Sequence, residues 1–242
     1  MFDLNGTVAL VTGSTQGIGL AIARLFCRCG ARVYVHCSND GKKAEAIAKE
    51  IGAYGSVVAD LSEDNAAEKL FKAVPNADIV VANASVQVRN DWEKITPEEY
   101  ELQTKVNLFS TMRLMQLFIP PMQERGFGRF IAVGSVQQYN PHPKMAVYAA
   151  TKCAIQSLVE NVAKQAAPYG VTVNNLIPGV ILTPRNDSAL ADGEYRAQVL
   201  SKIPARDFGT ADDCAAAALY LASREARYVT GIALTVDGGM KL

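Results

Sequence analysis

Tyr148 and Lys152 stand four residues apart in a stretch whose apolar spacing predicts a helix from Val147 to Ala167. On a helix, side chains at that spacing rise one above the other on the same face. A lysine ammonium beside a phenol favours the phenolate and draws the tyrosine down from its usual value of about 10. Such a tyrosine can give a proton to an alkoxide as it forms, or remove one in the reverse direction. Ser135 ends the apolar run Phe130-Ile131-Ala132-Val133-Gly134, which reads as a buried strand. Open α/β sheets hold their ligands at the carboxyl ends of parallel strands. A hydroxyl there can stabilise negative charge developing on a carbonyl oxygen. Taken singly, Tyr-x-x-x-Lys reads sooner as a surface pair, and Ser135 could be a strand-end cap; their coincidence in one chain favours proton transfer at a carbonyl.

A second group of residues could hold a dinucleotide. The segment Thr12-Gly13-Ser14-Thr15-Gln16-Gly17-Ile18-Gly19 follows the first predicted strand and opens the first helix. Its glycines permit a sharp turn and close approach to a pyrophosphate, and the helix offers free N–H groups and its positive dipole end. The spacing is Gly-x-x-x-Gly-x-Gly, and a tight strand-to-helix turn would use the same glycines. An NAD-selecting carboxylate is expected about 20 residues further on, after the second strand. That place holds His36, Cys37, Ser38 and Asn39, with no acid before Asp40. Ser38 and Asn39 could hydrogen-bond a 2′-phosphate. Lys42 and Lys43 are either its counter-charges or solvated surface lysines. The reading leans to NADP, with NAD as the alternative.

These residues need a scaffold that brings strand ends together, and the chain alternates strand and helix almost throughout. Predicted strands are Thr7 to Val11, Ala31 to Cys37, Gly55 to Ala59, Asp78 to Ala82, Arg129 to Gly134, Val171 to Ile177 and Gly231 to Val236. Helices are expected at Gly17 to Cys29, Lys42 to Ile51, Glu63 to Ala73, from Thr96-Pro97 towards Pro120-Pro121, and at Asp212 to Ala222. The strands are apolar throughout rather than alternating, as in a parallel sheet covered on both faces. This predicts an α/β, Rossmann-type doubly wound fold. With no linker or low-complexity segment, residues 1–242 read as one dinucleotide-binding domain. Pro178 to Arg206 lacks clear rhythm and is expected to form a substrate loop at about 180–206.

Bulk composition narrows the partners. The 242 residues include 24 Lys plus Arg against 24 Asp plus Glu, giving no charge excess that would suit nucleic acid or a membrane surface. Five scattered cysteines and two histidines give neither a disulfide framework nor zinc-ligand spacing, so no metal is expected. The N-terminal Met1-Phe2-Asp3-Leu4 does not read as a signal peptide, and no apolar run is long enough to span a bilayer. The expectation is a cytoplasmic protein acting on a small molecule.

Together these features resemble the short-chain dehydrogenase/reductase family, in its compact single-domain form, over essentially the whole chain. The residues carrying the likeness are Thr12-Gly13-x-x-x-Gly17-Ile18-Gly19, Asp60-Leu61, Asn83-Ala84, Asn107, Ser135, Tyr148-x-x-x-Lys152, Pro178-Gly179 with Thr183, and Gly231-x-x-x-x-Val236-Asp237-Gly238-Gly239. The resemblance implies a seven-stranded sheet in the order 3-2-1-4-5-6-7 and NAD(P)-dependent hydride transfer between a carbonyl and an alcohol, as in 3-oxoacyl-carrier-protein reductases and sugar or polyol dehydrogenases. It implies that Gly13, Thr15, Gln16, Gly17, Ile18 and Gly19 hold the pyrophosphate end. Asp60 and Leu61 would meet the adenine, and Asn83 and Ala84 would support the adenosine side. Pro178, Gly179, Ile181 and Thr183 would cover the nicotinamide. Lys152 would also bind its ribose beside Tyr148, and Asn107 would hold a water linking Lys152 to solvent.

For the substrate, the likeness points above Ser135 and Tyr148, to Gln137, Gln138, Asn140, His142 and the Pro184 to Arg206 region with Arg185. Those side chains suit a hydroxylated or acidic molecule, or simply face water. The family also implies a homo-oligomer, tetramer or dimer, built on the two long helices, about Thr96 to Pro121 and Val147 to Ala167, and on the C-terminal strand; the stripe Leu108, Met112, Met115, Ile119 would serve that contact or the core. Two positions depart from the pattern. Ser85 stands where the family has glycine, which makes the loop less permissive, and Gln16 stands where many NADP-using relatives have arginine. The rival reading is a cofactor-binding regulator without turnover, but such a protein has no need of both Tyr148 and Lys152. An epimerase or dehydratase would need a larger C-terminal substrate region, and a nucleotide hydrolase would need Gly-Lys-Ser/Thr after the turn.

Overall fold

The computed structural model describes residues 2–242. The chain runs β1 (Val8–Val11), α1 (Gly17–Arg28), β2 (Arg32–Cys37), α2 (Gly41–Ile51), β3 (Gly55–Val58), α3 (Ala66–Ala73) and β4 (Ile79–Ala82). It continues through α4 (Pro97–Gln103), a π-helical stretch (Thr104–Phe109), α5 (Ser110–Glu124), β5 (Gly128–Val133), α6 (Ala146–Ala166) and β6 (Val171–Pro178). Last come α7 (Pro184–Leu190), α8 (Gly193–Ser201), α9 (Ala211–Ala222) and β7 (Ala233–Val236).

All seven strands pair in parallel, in the order β3-β2-β1-β4-β5-β6-β7. Successive residues of each strand face opposite layers. Leu10, Val80 and Phe130 pack with Leu70, Leu114, Phe118 and Ile155 from α3, α5 and α6. Val11, Val81 and Ile131 pack with Ile22, Phe26, Cys214 and Leu221 from α1 and α9. Each face is therefore dry, which is why the strands read as unbroken apolar runs. Between β3 and β4 the chain returns from the β3 edge to the middle of the sheet, where β4 pairs with the free side of β1. The carboxyl ends of β1 and β4 consequently diverge, and a crevice opens between them.

Three local expectations are corrected. The segment taken as irregular contains α7 and α8, whose buried Leu190 and Val199 form a small separate cluster with Ile203 and Phe208. α8 is capped by Asp192, whose carboxylate accepts from the Glu194 and Tyr195 N–H groups. The helix expected to stop at the paired prolines runs through Pro120 and Pro121 to Glu124, held by buried Phe118, Ile119 and Met122 on either side. Within the stripe Leu108, Met112, Met115, Ile119, the residues Met115 and Ile119 are core. Among the described residues no helix is long and apolar enough to cross a membrane.

Candidate active site

A cleft of about 680 Å3 lies along the carboxyl ends of β1, β4, β5 and β6. Its floor begins at the turn after β1. Gly13 has φ +62° and Gly17 φ +55°, conformations open to glycine at little cost. A Cβ on Gly13 would sit 3.0 Å from the Ala84 Cα, so the turn presses against the loop after β4. Asn83 stitches the two together, its Nδ2 donating to the Thr12 and Gly13 carbonyls at 2.9 and 3.1 Å. The Thr12 hydroxyl accepts from the Asn83 and Ala84 N–H groups, both at 3.0 Å. Gly19 lies within the first turn of α1, where a Cβ would fall 2.4 Å from the Gly13 carbonyl oxygen. The first turn of α1 carries no side-chain cap and no acidic residue. Its free N–H groups and positive end, set behind a cradle kept open by glycine, fit a pyrophosphate.

His36, at the end of β2, braces this turn. Its Nδ1 accepts from the Gly13 N–H at 2.9 Å and its Nε2 donates to the Ala59 carbonyl at 2.8 Å. Its own backbone exchanges hydrogen bonds with Ser14 on both sides. The ring is 2% exposed. Burial pushes its pKa below the usual histidine range, against the opposing pull of the Ala59 bond and the Asp60 charge. Two ring nitrogens with fixed and opposite roles define the neutral tautomer carrying its proton on Nε2. The sequence shows only that His36 replaces an acid; its role as a brace is visible only once β2 and the glycine turn are side by side.

Beyond His36, Ser38, Asn39, Asp40 and Lys43 line the adenosine end, while Lys42 faces elsewhere. Asp40 is occupied as the α2 cap, accepting from the Lys43 N–H at 2.9 Å. The Lys43 ammonium reaches Gln16 Oε1 at 3.5 Å, so Gln16 and Lys43 meet where a 2′-phosphate would need donors. Asp60 accepts from the Ser62 N–H and hydroxyl at 2.9 and 2.7 Å. Those bonds, the backbone one foremost, hold its carboxyl below the usual carboxylate range.

At the other end Ser135, Tyr148 and Lys152 line one wall. Tyr148 and Lys152 are buried, and the Lys152 Nζ lies 5.5 Å from the centre of the Tyr148 ring. Nζ donates to the Val133 carbonyl at 2.7 Å. Burial, with the Arg185 charge second, brings the Lys152 pKa down to about 7. Burial thus opposes the ammonium form, which an anion entering the cleft would favour.

Most of the residues singled out from sequence reach the cleft. Thr15, Ile18, Leu61, Pro178, Gly179, Ile181 and Thr183 line it, as do Gln137, His142 and Arg185. Gln138 does not. It belongs to a 3-10 turn (Val136–Gln138), in which successive side chains point about 120° apart. Its amide oxygen is buried against Gly134 instead. Asn140 is likewise outside the cleft. Asn107 sits behind the wall, inside the π-helical stretch. Its Oδ1 accepts from the Val86 N–H, and its Nδ2 donates to the Val86 carbonyl and the Thr151 hydroxyl, at 2.9, 2.9 and 3.3 Å. Its side chain thus has no N–H left for a water and serves to fix the β4 loop to α6. Ser85, the departure from pattern, is used: its hydroxyl and carbonyl accept from Arg185 at 2.9 and 2.7 Å. Its φ is negative, so serine is unstrained there. Leu190, Tyr195 and Val199, from the expected substrate loop, complete the substrate end together with Arg89 and Met145, which the sequence did not single out.

Comparison with known proteins bears on this arrangement. The family model described as enoyl-(acyl carrier protein) reductase matches residues 13–241. The chain is 36% identical over 249 residues to 3beta-hydroxysteroid dehydrogenase 1 of Eggerthella lenta, covering 99% of this chain and 95% of that protein. It is 36% identical over 244 residues to the 3-oxoacyl-(acyl-carrier-protein) reductase FabG of Haemophilus influenzae, covering 99% and 100%. The crystal structure of a 3-oxoacyl-(acyl-carrier-protein) reductase from Agrobacterium tumefaciens C58, with NADP bound, superposes with a TM-score of 0.93 at 34% identity, covering 98% of this chain and 95% of that one.

Proposed function

The chain belongs to the short-chain dehydrogenase/reductase family and is an NAD(P)-dependent oxidoreductase, and from that premise we propose that Tyr148, Ser135 and Lys152 manage the proton and the charge at the reacting carbonyl. The observation that carries this is the buried Lys152 amine beneath the Tyr148 ring, at one end of a cleft whose other end is the glycine turn. When bound, the nicotinamide supplies or accepts the hydride.

The protein's own groups do the rest. The Ser135 hydroxyl donates to the carbonyl oxygen and stabilises charge as it develops. The Tyr148 hydroxyl transfers its proton to that oxygen on reduction and recovers it on oxidation. Lys152, held by the Val133 carbonyl, hydrogen-bonds a ribose and takes up positive charge as anionic groups enter the cleft. Gly13, Gly17 and Ile18 orient the pyrophosphate, and Asp60 and Leu61 bound the adenine. Pro178, Gly179, Ile181 and Thr183 cover the carboxamide side, and α7 and α8 form the substrate loop. Ser38, Asn39 and Lys43, with no free acid beside the ribose, favour NADP over NAD.

A cytoplasmic setting is in keeping with five free cysteines. A homo-oligomer through the α4–α5 and α6 faces is supported by Tyr100 and Phe109, which remain exposed. The experiment for the activity is a screen of NADPH and NADH oxidation over ketones, keto sugars and 3-oxoacyl thioesters. We expect turnover with at least one class and preference for NADPH. Failure of every class in both directions would contradict the assignment.

A further inference from the structure

The substrate end of the cleft is cationic and has no acid. Among the described residues the cleft is lined by two carboxylates, Asp40 and Asp60, both at the adenosine end. Asp187, Asp192 and Glu194, on and before the loop helices, do not line it. Arg89, His142 and Arg185 line the cleft instead, Arg89 acting on His142 and Arg185 on Lys152 through their charge. Neither arginine forms an ion pair with a described carboxylate.

Arg185 is the most constrained of the three. It leaves the first turn of α7 and crosses the cleft to the loop after β4, where both of its terminal nitrogens are fixed on Ser85. Those partners are neutral, so they aim the guanidinium without cancelling its charge. The remaining N–H groups of the fork are the kind that bind a carboxylate in its own plane. Arg185 lines the same cleft as Ser135 and Tyr148, and its charge is felt at the Lys152 amine. His142 adds to the polar rim. Its Nδ1 accepts from the Lys144 N–H at 3.1 Å, which puts the ring proton on Nε2 in the neutral form. Arg89 and Arg185 are both exposed at the mouth of the cleft, where two cations with no acid beside them attract an anionic ligand.

We propose that the substrate of this oxidoreductase carries a carboxylate, seated on Arg185 with Arg89 and His142 at the rim, while its carbonyl or carbinol carbon lies at Ser135 and Tyr148. The assignment rests on the reading of Tyr148 and Ser135 given above. Ser85 then acts as a positioning residue that aims Arg185.

The test has a binding arm and a turnover arm, both on the cofactor-loaded protein. In the first, NADPH-loaded protein is titrated calorimetrically with gluconate against glucitol, and tartrate against threitol, pairs that differ by carboxylate against hydroxymethyl. With NADPH in place a hydroxy acid cannot be oxidised, so binding alone is read. In the second, kcat/KM is compared for 3-oxobutanoate and other short oxo acids against their methyl esters. We expect the acid of at least one pair to be favoured by roughly tenfold or more. In Arg185→Gln that preference should fall by roughly tenfold, and Arg185→Lys should restore part of it. Ser85→Gly should weaken the preference less than Arg185→Gln does. Equal use of acids and their neutral partners, or equal loss on both in Arg185→Gln, overturns the proposal; so does failure of every acid to bind or turn over. Turnover of neutral ketones with no acid used would sink the carboxylate alone and leave the oxidoreductase reading standing. If no carbonyl of either kind consumes NADPH, the reading of Tyr148 and Ser135 falls instead.

Discussion

His36 Nδ1 accepts the Gly13 N–H at 2.9 Å, so a side chain at the end of β2 holds the glycine turn that follows β1. A Gly13 N–H taken by the protein is not available to a ligand. The turn is therefore set in shape before any cofactor arrives, and His36 is a positioning residue for it. His36→Leu leaves the Gly13 N–H and the Ala59 carbonyl without partners, each costing about 1–3 kcal/mol. We expect NADPH affinity to fall by at least roughly tenfold in that variant, read by fluorescence titration. His36→Asn, which can still accept from Gly13, should lose less.

The same ring gives a pH dependence. Burial keeps the folded His36 below the usual histidine value, whereas the unfolded chain protonates near about 6.5. Below that pH the unfolded state binds more protons than the native one, so stability falls as pH is lowered through about 6.5. Thermal denaturation of wild type and His36→Asn from pH 7.5 to 5.5 checks this, with a steeper loss expected in wild type. Parallel curves would count against it.

Lys152 gives the opposite check at higher pH. Its amine titrates at about 7 in the folded protein against 10.5 ordinarily. The native state thus carries a penalty that is complete below pH 7, shrinks as pH rises, and vanishes above 10.5. Replacing the amine relieves that penalty, less the bond to the Val133 carbonyl. Cofactor-free Lys152→Met should melt roughly 5 °C higher at pH 6, with a smaller gain at pH 9. A lower Tm at pH 6 would mean that burial does not strain the amine.

Cofactor choice can be read at Lys43. Its ammonium meets Gln16 at 3.5 Å, beside Ser38 and Asn39. Lys43→Ala should weaken NADPH by roughly fivefold and leave NADH within about twofold, with the effect fading at high salt. Equal loss for both cofactors would remove Lys43 from phosphate selection.

The sheet and its helices were legible because burial on both faces leaves every strand apolar, and the glycine turn declared its place by following the first of them. Tyr148 and Lys152 were legible as a pair because helical spacing alone puts them on one face. What resisted reading was any relation that depends on distant chain segments meeting. The bond between Arg185 and Ser85 joins residues a hundred positions apart, and the His36 brace depends on parallel register between β1 and β2. Gln138 misled because a tight 3-10 turn sends adjacent glutamines in different directions. Asn107 sits in a widened turn that no periodicity announces, and its amide is spent on Val86 and Thr151. α7 and α8 were overlooked because seven- and nine-residue helices give too few turns for a stripe to register.

The most direct measurement is single-turnover reduction by Tyr148→Phe, alongside its NADPH affinity. Losing only the hydroxyl should slow the chemical step by about 10²–10⁴-fold, while the dissociation constant for NADPH stays within about twofold, since the ring and Lys152 remain. A variant that turns over at the wild-type rate would show that the proton comes from elsewhere.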